Sequence, residues 1–301
     1  MRTFLDCIPC FMQQTLSAGR LMALPDEVIK DLFDIVGAGL SDVSLETSPP
    51  DMARKLQQLI NEKMGESDPY FALKQESNEK ALGYYEMMSS LVEESDDRLK
   101  SAIQVAIAGN IIDYGAIHDL DVAKELNALM SQERLQLERE DSENFAYLEF
   151  KKALSEAKTL LYVGDNAGEI VFDKILISTL KELYPELAIT FATRGKPILN
   201  DCLIEDAQQI GLDKLVTVVS SGSDAPGMVV ERCSEEYLEL FGSADLVISK
   251  GQGNFEALSD VDAPIYFLLI AKCEVVARTL GCDLRDIILK RSVVGKNHKN
   301  Y

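Results

Sequence analysis

Near residue 155 the hydrophobic period of the chain changes, and that change limits the folds open to it. Before it, apolar residues recur every three or four positions over Phe4–Leu24, Asp26–Leu40, Pro50–Met64 and Asn78–Glu94, which predicts helices. Pro25 and Pro49-Pro50 punctuate them. Asp97–Tyr114 holds the apolar run Ala102–Ile112, a buried helix by pattern, and Leu120–Leu154 is charged and amphipathic. After it, short β-branched runs alternate with helical segments. The predicted strands are Thr159–Val163, Ala188–Ala192, Leu215–Val219, Leu246–Ser249 and Ile265–Ile270. The predicted helices between them are Glu169–Leu183, Asp201–Ile210 and Met228–Phe241. Such alternation implies an α/β fold with a doubly wound, mostly parallel sheet. Continuous apolarity in the strands fits burial on both faces. The expected organisation is a helical cap region over 1–154 and an α/β core over 155–301.

In an open parallel sheet, ligands bind beyond the carboxyl ends of the strands. Four such ends are polar and contain glycine: Gly164-Asp165-Asn166-Ala167-Gly168-Glu169, Thr193-Arg194-Gly195-Lys196-Pro197 with Asn200-Asp201 close behind, Ser220–Gly227, and Lys250-Gly251-Gln252-Gly253-Asn254-Phe255-Glu256. Asp165, Asn166 and Asp201 offer oxygen ligands, which suit Mg²⁺ or Mn²⁺ and also admit Co²⁺ or Ni²⁺. The helix starting near Gly168 points its N-terminus at the same place, a seat for an anion. Lys250, Arg194 and Lys196 supply local positive charge. Glu169, Ser220 and Asn254 are expected substrate contacts. So are Asn110 and Asp113, three residues apart on one helical face, as lining of a cleft between cap and core. Carboxylates able to hold a metal, cationic side chains and glycine turns together read as phosphoryl chemistry, with Asp165, Lys250 and Arg194 as the catalytic set. Each feature alone has a plainer reading. Asp-Asn after a strand and Asn-Asp before a helix are ordinary caps, and Asn110 with Asp113 could be a structural hydrogen-bond pair. Convergence of four loops favours the functional reading.

Composition excludes several classes. The chain has 50 acidic and 30 basic residues, a net charge of −20, which opposes nucleic acid and anionic membrane surfaces. No run of 18 apolar residues is present, so no membrane span is expected, and the first residues do not resemble an export signal. A cytoplasmic protein with reduced thiols is expected; nothing fixes its oligomeric state. With only two histidines, His118 and His298, a His-rich zinc site or a Ser-His-Asp triad is poorly supplied. Six cysteines do not make a disulfide framework. Cys7-x-x-Cys10 is half a zinc site by spacing with no second Cys-x-x-Cys to complete it, which leaves burial and metal or redox work both open. Cys202 directly follows Asp201 and is expected beside the metal.

The runs Asp165-Asn166-Ala-Gly168-Glu169, Arg194-Gly-Lys-Pro197…Asn200-Asp201 and Lys250-Gly-Gln-Gly-Asn254-Phe-Glu256 resemble the DUF89 family of metal-dependent damage-control phosphatases, the ARMT1-like proteins. Cys7-Ile-Pro-Cys10 and Gly109-Asn110-Ile-Ile-Asp113-Tyr-Gly115 resemble its prokaryotic branch. The resemblance runs the length of the chain. It implies a Rossmann-like α/β/α core beside a helical region, and a divalent metal on Asp165, Asn166 and Asp201. It also implies hydrolysis of small phosphorylated metabolites such as sugar phosphates or phosphopantetheine-like compounds. Either Asp165 or a metal-held water fits as nucleophile; the lack of Asp-x-Asp after the first strand tilts toward water. An alternative is a Rossmann-type nucleotide or cofactor binder, including a transferase. Gly164-Asp-Asn-Ala-Gly168 has the wrong spacing for its phosphate loop. A third is a thiol or metal sensor built on Cys7 and Cys10.

Overall fold

The computed structural model of the chain describes residues 1–42, 44–65, 68–109 and 142–292. The helices of the first half are α1 (Cys7–Leu21), α2 (Asp26–Gly39), α3 (Pro49–Met64), α4 (Phe71–Leu82), α5 (Tyr85–Glu93) and α6 (Arg98–Ala108). Prolines at the first positions of α3 fit where no amide donor is needed. Asp97 caps α6, accepting from the Lys100 amide at 3.1 Å. The single helix predicted over Asn78–Glu94 is two helices, broken at Gly83-Tyr84, where glycine weakens helix continuity. Asn110, Asp113, His118 and His298 lie outside the described residues, as does most of the stretch predicted over Leu120–Leu154; its described end forms α7 (Tyr147–Glu156).

The second half builds one six-stranded sheet: β1 (Thr159–Val163), β2 (Ala188–Thr193), β3 (Thr217–Ser220), β4 (Leu246–Lys250), β5 (Ile265–Ile270) and β6 (Ile287–Arg291), in the order β3-β2-β1-β4-β5-β6. All pairings are parallel except β5–β6, which is antiparallel. The connecting helices are α8 (Glu169–Leu183), α9 (Ile204–Gln209), α10 (Glu235–Ser243), α11 (Gly251–Leu258) and α12 (Glu274–Leu280). The five predicted strands are present; β6, α11 and α12 were not anticipated. The helices predicted over Asp201–Ile210 and Met228–Phe241 begin late. Residues 201–203 are held against the β1 loop, and Met228–Cys233 forms a loop with one 3-10 turn before Ser234 caps α10.

Alternate side chains of the strands go to opposite faces. Leu160, Tyr162, Ile248 and Leu268 join Ile103, Phe150, Phe172 and Leu176 in one core, while Leu161, Val247, Phe267 and Leu269 join Phe241, Phe255, Leu258 and Val276 in another. A third cluster, with Phe11, Leu32, Val36, Met52 and Leu56, ties α1, α2 and α3 together. The first core crosses residue 155, because α6 packs on α8 and under β5. The backbone of Asn144–Ala146 also pairs with Leu289, so the outer edge of β6 is covered by chain from before the sheet.

Candidate active site

The neighbours of β1 are β2 and β4, and successive connections leave it in opposite directions, so a crevice is expected beyond its carboxyl end. The loops there are stitched by backbone. The Cys202 amide donates to the Asp165 carbonyl at 2.8 Å, Ala167 to Asn200 at 3.0 Å and Arg194 to Cys202 at 3.0 Å, with an isolated bridge between Asn166 and Asp201. Gly164 turns against Phe191, where a Cβ would lie 2.4 Å from the ring. Gly251, at φ +77°, brings the β4 loop so close that a Cβ would lie 1.8 Å from Asp165 Oδ2. Side chains larger than hydrogen would push these loops apart.

This stitching brings Asp165, Asn166, Asp201 and Arg194 together, all buried. Arg194 Nε donates to Asp201 Oδ2 at 2.6 Å, Nη2 to Asp165 Oδ1 at 3.5 Å and Nη1 to the Gly164 carbonyl at 3.4 Å. Asn166 Nδ2 donates to Asp165 Oδ2 at 3.1 Å. Burial raises the Asp165 carboxyl well above the usual carboxylate range. Glu169 and Asp201 add to the rise, and Arg194 and Lys272 only partly offset it. A buried carboxylate so short of positive charge, beside a second carboxylate and an amide, fits a hard cation bound through few protein ligands with water completing its shell. Asp165, Asn166 and Asp201, brought together in this way, are the candidate centre. Cys202, buried, sits behind it.

The other expected site residues that are described surround this cluster in different roles. Lys250 is buried on the α6–α8 face of the sheet. Its Nζ donates to Glu169 Oε1 at 2.6 Å, to the Ala106 carbonyl at 2.8 Å and to Asp173 Oδ1. Asp173 also accepts from the Tyr162 hydroxyl at 2.8 Å. Against the effect of burial, Asp173 and Glu169 raise the Lys250 ammonium above its ordinary value. The Lys250–Glu169 pair is thus a buried charge cluster beneath the site. Asn254 binds loops: its Nδ2 donates to the Gly164 and Lys250 carbonyls and its Oδ1 accepts from the Met228 amide. Ser220 Oγ accepts from the Gly222 amide at 3.1 Å, and Lys196 is exposed. The expected anion seat at α8 is taken, since the Gly168 amide donates to Asn78 Oδ1 of α4 at 2.7 Å.

Two contributors were missed in the sequence. Lys272 follows β5, and its charge acts on Asp165; extending the strand-end rule to the fifth strand would have found it. Asn78 bridges both ligand-bearing segments, its Nδ2 donating to Asp206 Oδ1 at 3.0 Å and Gln209 Oε1 at 2.7 Å. No pattern within the helical half marks that contact.

Comparison with known proteins identifies the family to which a chain of this fold belongs. The description "Damage-control phosphatase ARMT1-like domain" matches residues 3–288, and the chain belongs to that family. It is 34% identical to an uncharacterised protein of Methanocaldococcus jannaschii, over 95% of this chain and 94% of that one. It is 32% identical to a damage-control phosphatase of Archaeoglobus fulgidus, over 94% and 97% of the two chains. The crystal structure of a DUF89 family protein from Pyrococcus horikoshii superposes with a TM-score of 0.84 at 26% identity, covering 97% of this chain and 100% of that one.

Proposed function

We propose that this protein is a metal-dependent phosphatase that hydrolyses small phosphorylated metabolites, of the sugar phosphate or phosphopantetheine-like class. The observation that carries the reading is the convergence of Asp165, Asn166 and Asp201 with Arg194 beyond β1, in a chain whose relatives include named damage-control phosphatases. Asp165, Asn166 and Asp201 would hold a divalent cation. Bound there, a cation supplies Lewis-acid polarisation of a phosphoryl oxygen. Arg194 keeps both carboxylates oriented through one donor contact to each. Lys272 adds positive charge that acts on Asp165 and would favour an anionic ester there. The depth of Asp165 and Asp201 keeps the reacting centre in a low-dielectric setting, where charge on the phosphoryl group is most strongly felt.

The test is a panel of phosphate esters assayed for phosphate release with Mg²⁺, Mn²⁺, Co²⁺ and Ni²⁺ in turn, and with chelator. Release from one or more small esters that stops with chelator and returns with metal supports the reading. Saturable nucleotide binding without turnover would replace it with the cofactor-binding alternative.

A further inference from the structure

Cys7 and Cys10 take no part in the site described above, yet the fold does not leave them isolated. They occupy the first turn of α1, three residues apart and so on one face. Helical rise and radius put their Cα atoms about 5 Å apart, inside the window of roughly 4.4–6.8 Å that a disulfide spans. Cys10 is exposed and Cys7 half-buried. Glu256 of α11 and Cys273 just before α12 lie near enough to act electrostatically on both thiols. Gln252 Nε2 donates to Cys273 Sγ at 3.5 Å and to Glu256 Oε1 at 2.9 Å, so these two groups are held in one place. Three of the six cysteines therefore gather at the junction of α1 with the sheet helices. Two thiols on one helical face at that separation can take part in thiol–disulfide exchange.

We propose that Cys7 and Cys10 are a reversible dithiol–disulfide site whose co-substrate is a low-molecular-weight disulfide. The exposed Cys10 sulfur, once deprotonated, attacks one sulfur of the disulfide RSSR. A Cys10–SR mixed disulfide forms and RS⁻ leaves. The half-buried Cys7 sulfur then gives up its proton and attacks Cys10 Sγ, closing the protein disulfide and expelling the second RS⁻. The two protons lost from the cysteines are taken up by the two leaving thiolates, so one RSSR becomes two RSH and the protein is oxidised by two electrons. Although Cys10 is exposed as a residue, desolvation by the protein packed around its sulfur pushes the thiol up to about 11, with Glu256, Cys273 and Cys7 adding to the rise. That has two consequences. Exchange at neutral pH is slow, because the thiolate is scarce. The disulfide, once made, persists, because the reduced form lacks the thiolate stabilisation that makes some dithiol pairs strong oxidants.

The experiment uses the full chain and oxidised glutathione in excess, followed by thiol counting, peptide mass mapping and circular dichroism. The folded protein is expected to lose two thiols and two hydrogen masses, mapped to Cys7–Cys10 within one peptide, and to regain both with dithiothreitol. Cys273→Ser should still form the bond. Cys7→Ser should stop at a glutathione adduct on Cys10, and Cys10→Ser should form neither product. A folded wild-type protein that keeps all its thiols, or a disulfide that maps to Cys273, overturns the proposal. These readouts do not involve phosphate release, so they stand or fall apart from the phosphatase reading.

Discussion

Lys250 carries its charge where water does not reach, against Glu169 and Asp173. Replacing it by a neutral side chain would strand two buried carboxylates on one another. Lys250→Met is expected to cost about 3–5 kcal/mol of folding stability, the usual loss when one partner of a buried ion pair is removed. Urea unfolding measures it, and a loss below about 1 kcal/mol would mean that the carboxylates relax or protonate at little cost. Asp165 behaves in the opposite way, since it adds negative charge to a place already short of positive charge. Asp165→Asn should leave the metal-free protein as stable as before, or more so, because it relieves that repulsion. The same change should lower metal-dependent turnover at least about a hundredfold. Calorimetry on Asp165→Asn and Asp201→Asn decides the assignment, because unchanged divalent-cation affinity in both would remove them from the centre.

Helix α4 reaches the site through Asn78. Asn78 accepts from the Gly168 amide and donates to Asp206 and Gln209, so it clamps the segment carrying Asp165 and Asn166 to the one following Asp201. Asn78→Ala would leave a buried amide without its acceptor, at about 1–3 kcal/mol. Cation affinity should fall with it although Asn78 is not among the expected ligands; thermal melts with and without Mn²⁺ separate the two effects. The strands that build the sheet were legible because Thr159–Val163 and Ile265–Ile270 are continuous apolar runs ended by polar turns. The sixth strand was not, since Ile287–Arg291 ends in Lys290 and Arg291 and sits at the antiparallel end of the sheet, where one-sided polarity is tolerated. The convergence of Asp165, Asn166, Arg194 and Asp201 was legible for the same reason as the strands, since all four follow strand ends. The side to which Lys250 points was legible too but went unread. It is two residues beyond Ile248 in β4, and the alternation of a strand sends both to the α6–α8 face. Asn78 was out of reach, since its partners lie 90 or more residues away in sequence.

At the scale of the whole molecule, the buried negative charge makes stability depend on pH and cation together. In the fold Asp165 holds its proton well above the value of about 3.9 expected when unfolded. Its contribution to stability is therefore full below that value and is lost as pH rises through the raised one. A divalent cation bound there should restore the loss and expel the proton. The melting temperature in chelator is thus expected to gain more from added Mn²⁺ at pH 7.5 than at pH 5, and an equal gain at both would place the cation elsewhere. One feature of the packing bears on how the chain is made. The apolar side chains of α6 belong to a core whose other members run to Leu289. On a ribosome moving at about 5–20 residues per second, that helix is exposed for roughly ten to forty seconds before the last strand it shelters under has been synthesised. Nascent chains stalled between β1 and β6 should accordingly be the species that holdase chaperones capture.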